Sequence, residues 1–181
     1  MSKECQTLTA FELQQEAKLQ QLDDLRTLFL ESVDLQIALS SSPVEAHPKA
    51  LDHWKELGPM SIGTVIKESD ISCLNIGPND LEFKTIEEVD EDGYEVQRMG
   101  FFKKGSDKLH GIGRQVWHGL DIQEGMWRDD RFEGYGRECW WSGGYYQGGW
   151  KDDNYHGQGI HVFADGRTEQ GKFVNGELVA E

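Results

Sequence analysis

The chain has 181 residues, a formal net charge of −15 and a mean hydropathy of −0.63. That length holds one domain or two small ones with a modest core, and no apolar run approaches the roughly 20 residues of a membrane-spanning helix. The acidity makes the chain a poor candidate for unaided binding to nucleic acid or an anionic membrane, because both depend on basic surface.

The charge is unevenly placed. Residues 1–94 carry 19 acids against 7 bases, and residues 95–181 carry 14 against 11. The second half therefore leaves room for a local basic spot, with Arg128, Arg131 and Arg137 as its candidates. Cys5, Cys73 and Cys139 are scattered and form neither a disulfide framework nor a paired zinc motif. The start, Met1 to Gln6, has no basic residue cluster and no apolar core, so no secretory leader is expected and the expected address is cytoplasmic.

In chain order, Thr9-Ala10-Phe11-Glu12 has the form of a capping box. The following residues are good helix formers, without Gly or Pro until Pro43. Leu22, Leu25, Phe29, Val33 and Ile37 recur every three or four residues, which predicts one long helix over about 10–39 with an apolar stripe. At 1.5 Å per residue it would run roughly 45 Å. The stripe either packs inside the molecule or docks a partner, and Leu22, Leu25, Phe29 and Val33 are its candidate binding residues. Residues 40–47 read as a linker and 48–57 as a short second helix stopped by Gly58-Pro59, with Leu51, Trp54 and Leu57 facing inward.

Residues 1–58 thus form a helical segment. Residues 59–94 read as an irregular β lead-in, with strands at Ile62–Ile66, Ile71–Ile76 and Leu81–Ile86 and a hairpin turn at Asp92-Gly93. The acidic run from Glu87 to Asp92 lacks the spacing of a calcium loop and reads as a solvated turn.

From residue 95 the chain repeats every 23 residues. Gly111, Gly134 and Gly157 align, as do Gly125, Gly148 and Gly171, and Asp129-Asp130 falls on Asp152-Asp153. Trp117 falls on Trp140 and Phe163, and Trp127 on Trp150 and Phe173. A fixed period of this size marks an array of one supersecondary unit whose neighbours bury what a single unit cannot. Each unit reads as two short strands. Glycines inside them mark the close approach of an aromatic from a neighbouring unit. The last unit breaks off at Gly176–Glu181, which predicts an exposed edge strand open to self-association.

The clearest unit runs Tyr146-Gln147-Gly148-Gly149-Trp150, a polar turn, His156-Gly157-Gln158-Gly159, a short strand and Asp165-Gly166. It resembles the MORN (membrane occupation and recognition nexus) repeat, and the resemblance covers about residues 98–181, some three repeats and a truncated fourth. The Tyr position holds Arg98, Gln123 and Glu169 in the other units, and the His position holds Glu133 in the second. The resemblance implies a mainly β fold, an elongated single-layer sheet of hairpins, here preceded by the long helix and the short one.

It also implies a non-catalytic scaffold binding other proteins through the sheet and the N-terminal helix, in a cytoskeletal, ciliary or axonemal assembly. A phosphoinositide or membrane-tethering module is the alternative, and an accessory subunit of an enzyme complex the third. No catalytic residue, metal or cofactor is expected. The glycine pairs lack the third glycine of a phosphate loop, and His110 and His156 recur with the structural period. Trp141 and Tyr145 lie off the matched positions and are the candidate protein-binding residues of the sheet.

Overall fold

The computed structural model describes residues 9–68 and 71–179. Two α-helices, α1 (Ala10–Glu31) and α2 (Val33–Ser40), stand where one was expected. The Thr9–Glu12 capping box is formed. The break falls at Ser32, whose hydroxyl accepts the Leu35 N–H and so caps a new helix. Gln36 holds the elbow by donating to the Leu30 carbonyl.

The break redirects the apolar stripe. Leu25 and Phe29 are buried, but Val33 and Ile37 turn outward, 64% and 58% exposed, and Leu35, Ala38 and Leu39 go inward instead. Helix α3 (Pro48–Leu57) lies within the expected bounds, with Pro48 at its first turn and Gly58 at its end.

The expectation of strands at Ile62–Ile66 and Ile71–Ile76 is corrected. Residues Ile62–Glu68 form helix α4, Ile71–Leu74 a 3-10 turn, and Pro78–Asp80 a second 3-10 turn. Val65, Ile71 and Leu74 pack into the same core as α1 and α2. This burial overrides the strand preference of the β-branched residues.

The rest is one sheet of nine antiparallel strands in sequence order. The strands are β1 (Leu81–Val89), β2 (Glu95–Lys103), β3 (Leu109–Trp117), β4 (Ile122–Arg128) and β5 (Arg131–Cys139). They continue as β6 (Gly144–Lys151), β7 (Asn154–Phe163), β8 (Thr168–Val174) and β9 (Glu177–Val179). The short strand β9 pairs back on β8 at the edge of the sheet.

The repeat is visible in the turns. Asp129-Asp130, Asp152-Asp153 and Asn175-Gly176 all take positive φ at both positions. That is the type I′ geometry, which matches strand twist in two-residue hairpins. Bulges after Gly100, Gly125 and Gly148 bend the strands, and each turn clasps the preceding hairpin. Leu109 N–H and Phe132 N–H donate to the carboxylates of Asp130 and Asp153, and the amides of those aspartates donate back to the carbonyls of Leu109 and Phe132.

Inside the bend lie Phe102, Leu109, Trp127, Phe132, Tyr146, Trp150 and Phe173. They rest on a row of glycines that runs strand to strand from Gly100 to Gly171. A Cβ on Gly136 would come 2.4 Å from the Phe132 ring, and one on Gly159 would come 2.3 Å from the Tyr146 hydroxyl. The aromatic neighbour expected from the sequence is thus partly in the same strand, as Phe132 is for Gly136.

The sheet is a single layer, but its opposite face is not bare. Phe29 of α1 meets Phe101 at 5.2 Å, and Trp54 of α3 packs with Val116, Ile122 and Cys139. Between these two clusters lies an ionic clamp. Glu124 is fully buried between Arg114 and Arg137, with Arg137 Nε at 2.7 Å, and it accepts the Trp54 Nε1–H at 2.9 Å. Arg114 also donates to the carbonyls of Leu39 and Ser41, and Arg137 to that of Gly58. The two guanidiniums therefore satisfy carbonyls at the C-terminal ends of α2 and α3, where orphan acceptors and the helix dipole favour positive charge.

Candidate protein-binding surfaces

The face of the sheet turned away from the helices carries a core made only of sheet and turn residues. Beside that core, toward the other hairpin ends, a polar row crosses the strands. Arg98, Gln115, Gln123, Glu138, Tyr146, His161 and Glu169 are successive cross-strand partners. Gln123 donates to Glu138 at 2.8 Å. Half-buried aromatics surround the row near Glu138: Trp140 lies 5.2 Å from His161, His161 stacks on Phe163 at 3.9 Å, and Tyr155 stacks on Tyr146 at 3.8 Å. Arg167 sits over the outer face of Phe163, 4.3 Å from its centroid.

Burial pushes the Glu138 carboxyl up to about 7, with Asp121 and Asp153 acting the same way and the Gln123 hydrogen bond offsetting part of it. Burial lowers His161, and Glu169 opposes this. Burial, then the nearby Glu138, raises the Tyr155 phenol. Around Glu138 the aromatic rings of Trp140, Tyr155, His161 and Phe163 supply most of the contact surface.

A second surface lies at the elbow. A groove of about 520 Å³ runs between α1, α2 and the β1–β2 hairpin. Leu28, Val33, Phe83 and Phe101 line it, and Asp24, Glu31 and Asp34 rim it. The three carboxylates are exposed and make no ion pair among the described residues.

The candidates read from the sequence separate accordingly. Trp141 is 51% exposed, caps the β5–β6 turn by donating its backbone N–H to Asp121, and stands edge-on to His47 at 6.2 Å. Tyr145 does not join it on the surface, because it is half-buried on the helix side, 5.8 Å from His53 of α3. Leu25 and Phe29 are core residues, Leu22 is partly buried against the same core, and Val33 alone of that group is freely exposed. Glu138, His161 and Tyr155 were not singled out in the sequence. The signal was present, since Gln115, Glu138 and His161 are themselves spaced by the 23-residue lag.

In the first two units the recurring histidine position has a structural task. His110 is buried, with Nε2 donating to the Leu74 carbonyl and Nδ1 accepting the Asp129 N–H at 3.2 Å. One unit later, Glu133 accepts the Asp152 N–H at 3.1 Å. The proposed basic spot is dispersed: Arg137 is buried against Glu124, while Arg128 and Arg131 both pair with Asp152. The Cys139 thiol is pushed up to about 12 by burial and behaves as a small apolar group.

No family model matches this chain, and no curated protein matches its sequence. Among the described residues no helix is long and apolar enough to cross a membrane.

Proposed function

We propose that the protein is a non-catalytic scaffold of the MORN-repeat kind, which binds another protein through the uncovered face of its sheet. The observation that carries this reading is the group of Trp140, Tyr155, His161 and Phe163 around Glu138 on that face. Rigid aromatic side chains on a fixed backbone lose little entropy on binding and dominate contact energy at protein interfaces. The cytoskeletal or ciliary setting rests on the resemblance of the repeats alone. Self-association through β9 is a further part of the proposal, supported by Leu178 and Val179, 40% and 36% exposed on the last strand. A lipid-tethering role is the weaker reading, because Arg128 and Arg131 are already engaged by Asp152.

The test compares affinity purifications from a lysate of the source organism, using the wild-type chain and a Trp140→Glu, Phe163→Asp double variant. A partner recovered stoichiometrically by the wild type and depleted tenfold or more with the variant supports the reading. Identical recoveries from both remove it.

A further inference from the structure

The elbow groove is an apolar recess rimmed by three acidic side chains that make no ion pair among the described residues, although Asp24 accepts a hydrogen bond from Gln20. Its floor is the edge-to-face pair Phe83 and Phe101, 5.9 Å apart. Leu28 from the end of α1 and Val33 from the start of α2 form its walls. It exists because Ser32 ends one helix and caps the next. An unbroken helix would have carried Val33 and Ile37 onto the core side instead of leaving them 64% and 58% exposed. Its volume of about 520 Å³ falls within the roughly 300–1,000 Å³ of ordinary ligand sites, but it is open along one side, as suits a chain segment.

The electrostatics select the occupant. Asp24, Glu31 and Asp34 rim the groove, and no Lys, Arg or His lines it. On the adjoining elements Arg26 pairs with Asp23, and Lys84 with Glu82 and Asp107. A second copy of this chain would bring like charge to a half that already holds 19 acids against 7 bases, and an anionic membrane would be repelled in the same way. We infer that the groove receives a cationic amphipathic peptide segment of a partner protein. One or two bulky apolar side chains rest on Leu28, Val33, Phe83 and Phe101, and flanking Lys or Arg residues reach Asp24, Glu31 and Asp34. This surface lies away from Trp140 and Phe163, so it stands independently of the proposed sheet partner.

The probe is a displayed library of random 12-residue peptides, selected on the full chain. Enriched sequences are expected to carry at least two Lys or Arg beside a Leu, Phe or Trp. A synthetic representative, followed by fluorescence anisotropy, should bind tenfold or more weakly to an Asp24→Asn, Glu31→Gln, Asp34→Asn variant. Its affinity should fall as sodium chloride rises from about 50 to 500 mM, because exposed pairs are screened. Val33→Asp, at an exposed position that leaves the fold intact, should weaken it by a similar factor. Trp140→Glu on the other face should change nothing. Selection without a basic bias, equal affinity for the triple variant, or loss of binding in Trp140→Glu with retention in Val33→Asp would each overturn the inference.

Discussion

Glu133 and His110 share a task at the residue scale. Both sit near the start of the second strand of a unit and accept the first turn amide of the next hairpin, so the loss of the repeat's histidine at Glu133 costs nothing that a carboxylate oxygen does not restore. Removing the acceptor leaves that half-buried N–H unpaired, at about 1–2 kcal/mol. Glu133→Ala is expected to lower the urea unfolding free energy by about that amount, and Glu133→His by less than half of it. Glu138 sets a pH dependence. Its folded-state pKa of about 7 lies above the ordinary value of 4.5, so the native state holds the proton more tightly than the unfolded chain. The stabilisation is full below pH 4.5 and is lost as pH rises toward and through 7. Glu138→Gln should therefore flatten the fall of Tm across that window and melt higher than the wild type at pH 8. An unchanged Tm profile would show that this carboxyl titrates normally.

Elements were legible in the sequence where local signals and packing agree. The Thr9–Glu12 box, the Pro48 start and Gly58 stop, and the paired aspartates of the hairpin turns all act locally, and each appears where expected. Ser32 was not legible, because a serine inside a run of helix formers is equally compatible with an unbroken helix. Only the need to bury both Phe29 and Leu35 on one sheet resolves it. Ile62–Ile66 and Ile71–Leu74 misled for the converse reason, since short β-branched runs carry no periodicity that separates a strand from a buried helical turn. The clamp on Glu124 was also hidden, as Arg114, Glu124 and Arg137 meet only through strand register. Two buried guanidiniums depend on that carboxylate, so Glu124→Gln is expected to destabilise the protein by about 3–5 kcal/mol. Its signature would be early loss of the helical signal in circular dichroism, because the clamp receives the ends of α2 and α3.

At the scale of the whole molecule the protection is uneven. Helices α1–α4 cover the sheet from β1 to β6, while Gln158, Gln170 and Lys172 of β7 and β8 face solvent on that side. Local opening is easiest where few apolar contacts must break. Amide hydrogen exchange should accordingly be slowest in β3–β5 and fastest among the strands in β8 and β9. Uniform protection across all nine would contradict this picture. The part of the proposed binding surface legible in the sequence follows the same division. The repeat period reports the sheet and its bare face, including the Gln115, Glu138 and His161 column, but it is silent on the helices that decide which face stays bare.

The end of the helical cover at β6 also determines where the chain can change length. Beyond that strand each turn is fastened to the preceding hairpin by a backbone amide that donates to a carbonyl 21 residues back, Asp153 to Phe132 and Gly176 to Tyr155. A unit copied in or cut out after β6 would meet an equivalent docking seat and disturb nothing in the clamp around Glu124. A unit added between β3 and β5 would part Arg114 and Arg137 and pull one of them from the helix end it holds. The N-terminal layer thus acts as a fixed headpiece, and the repeats as a tail whose reach evolution or an engineer could reset in steps of one hairpin pair.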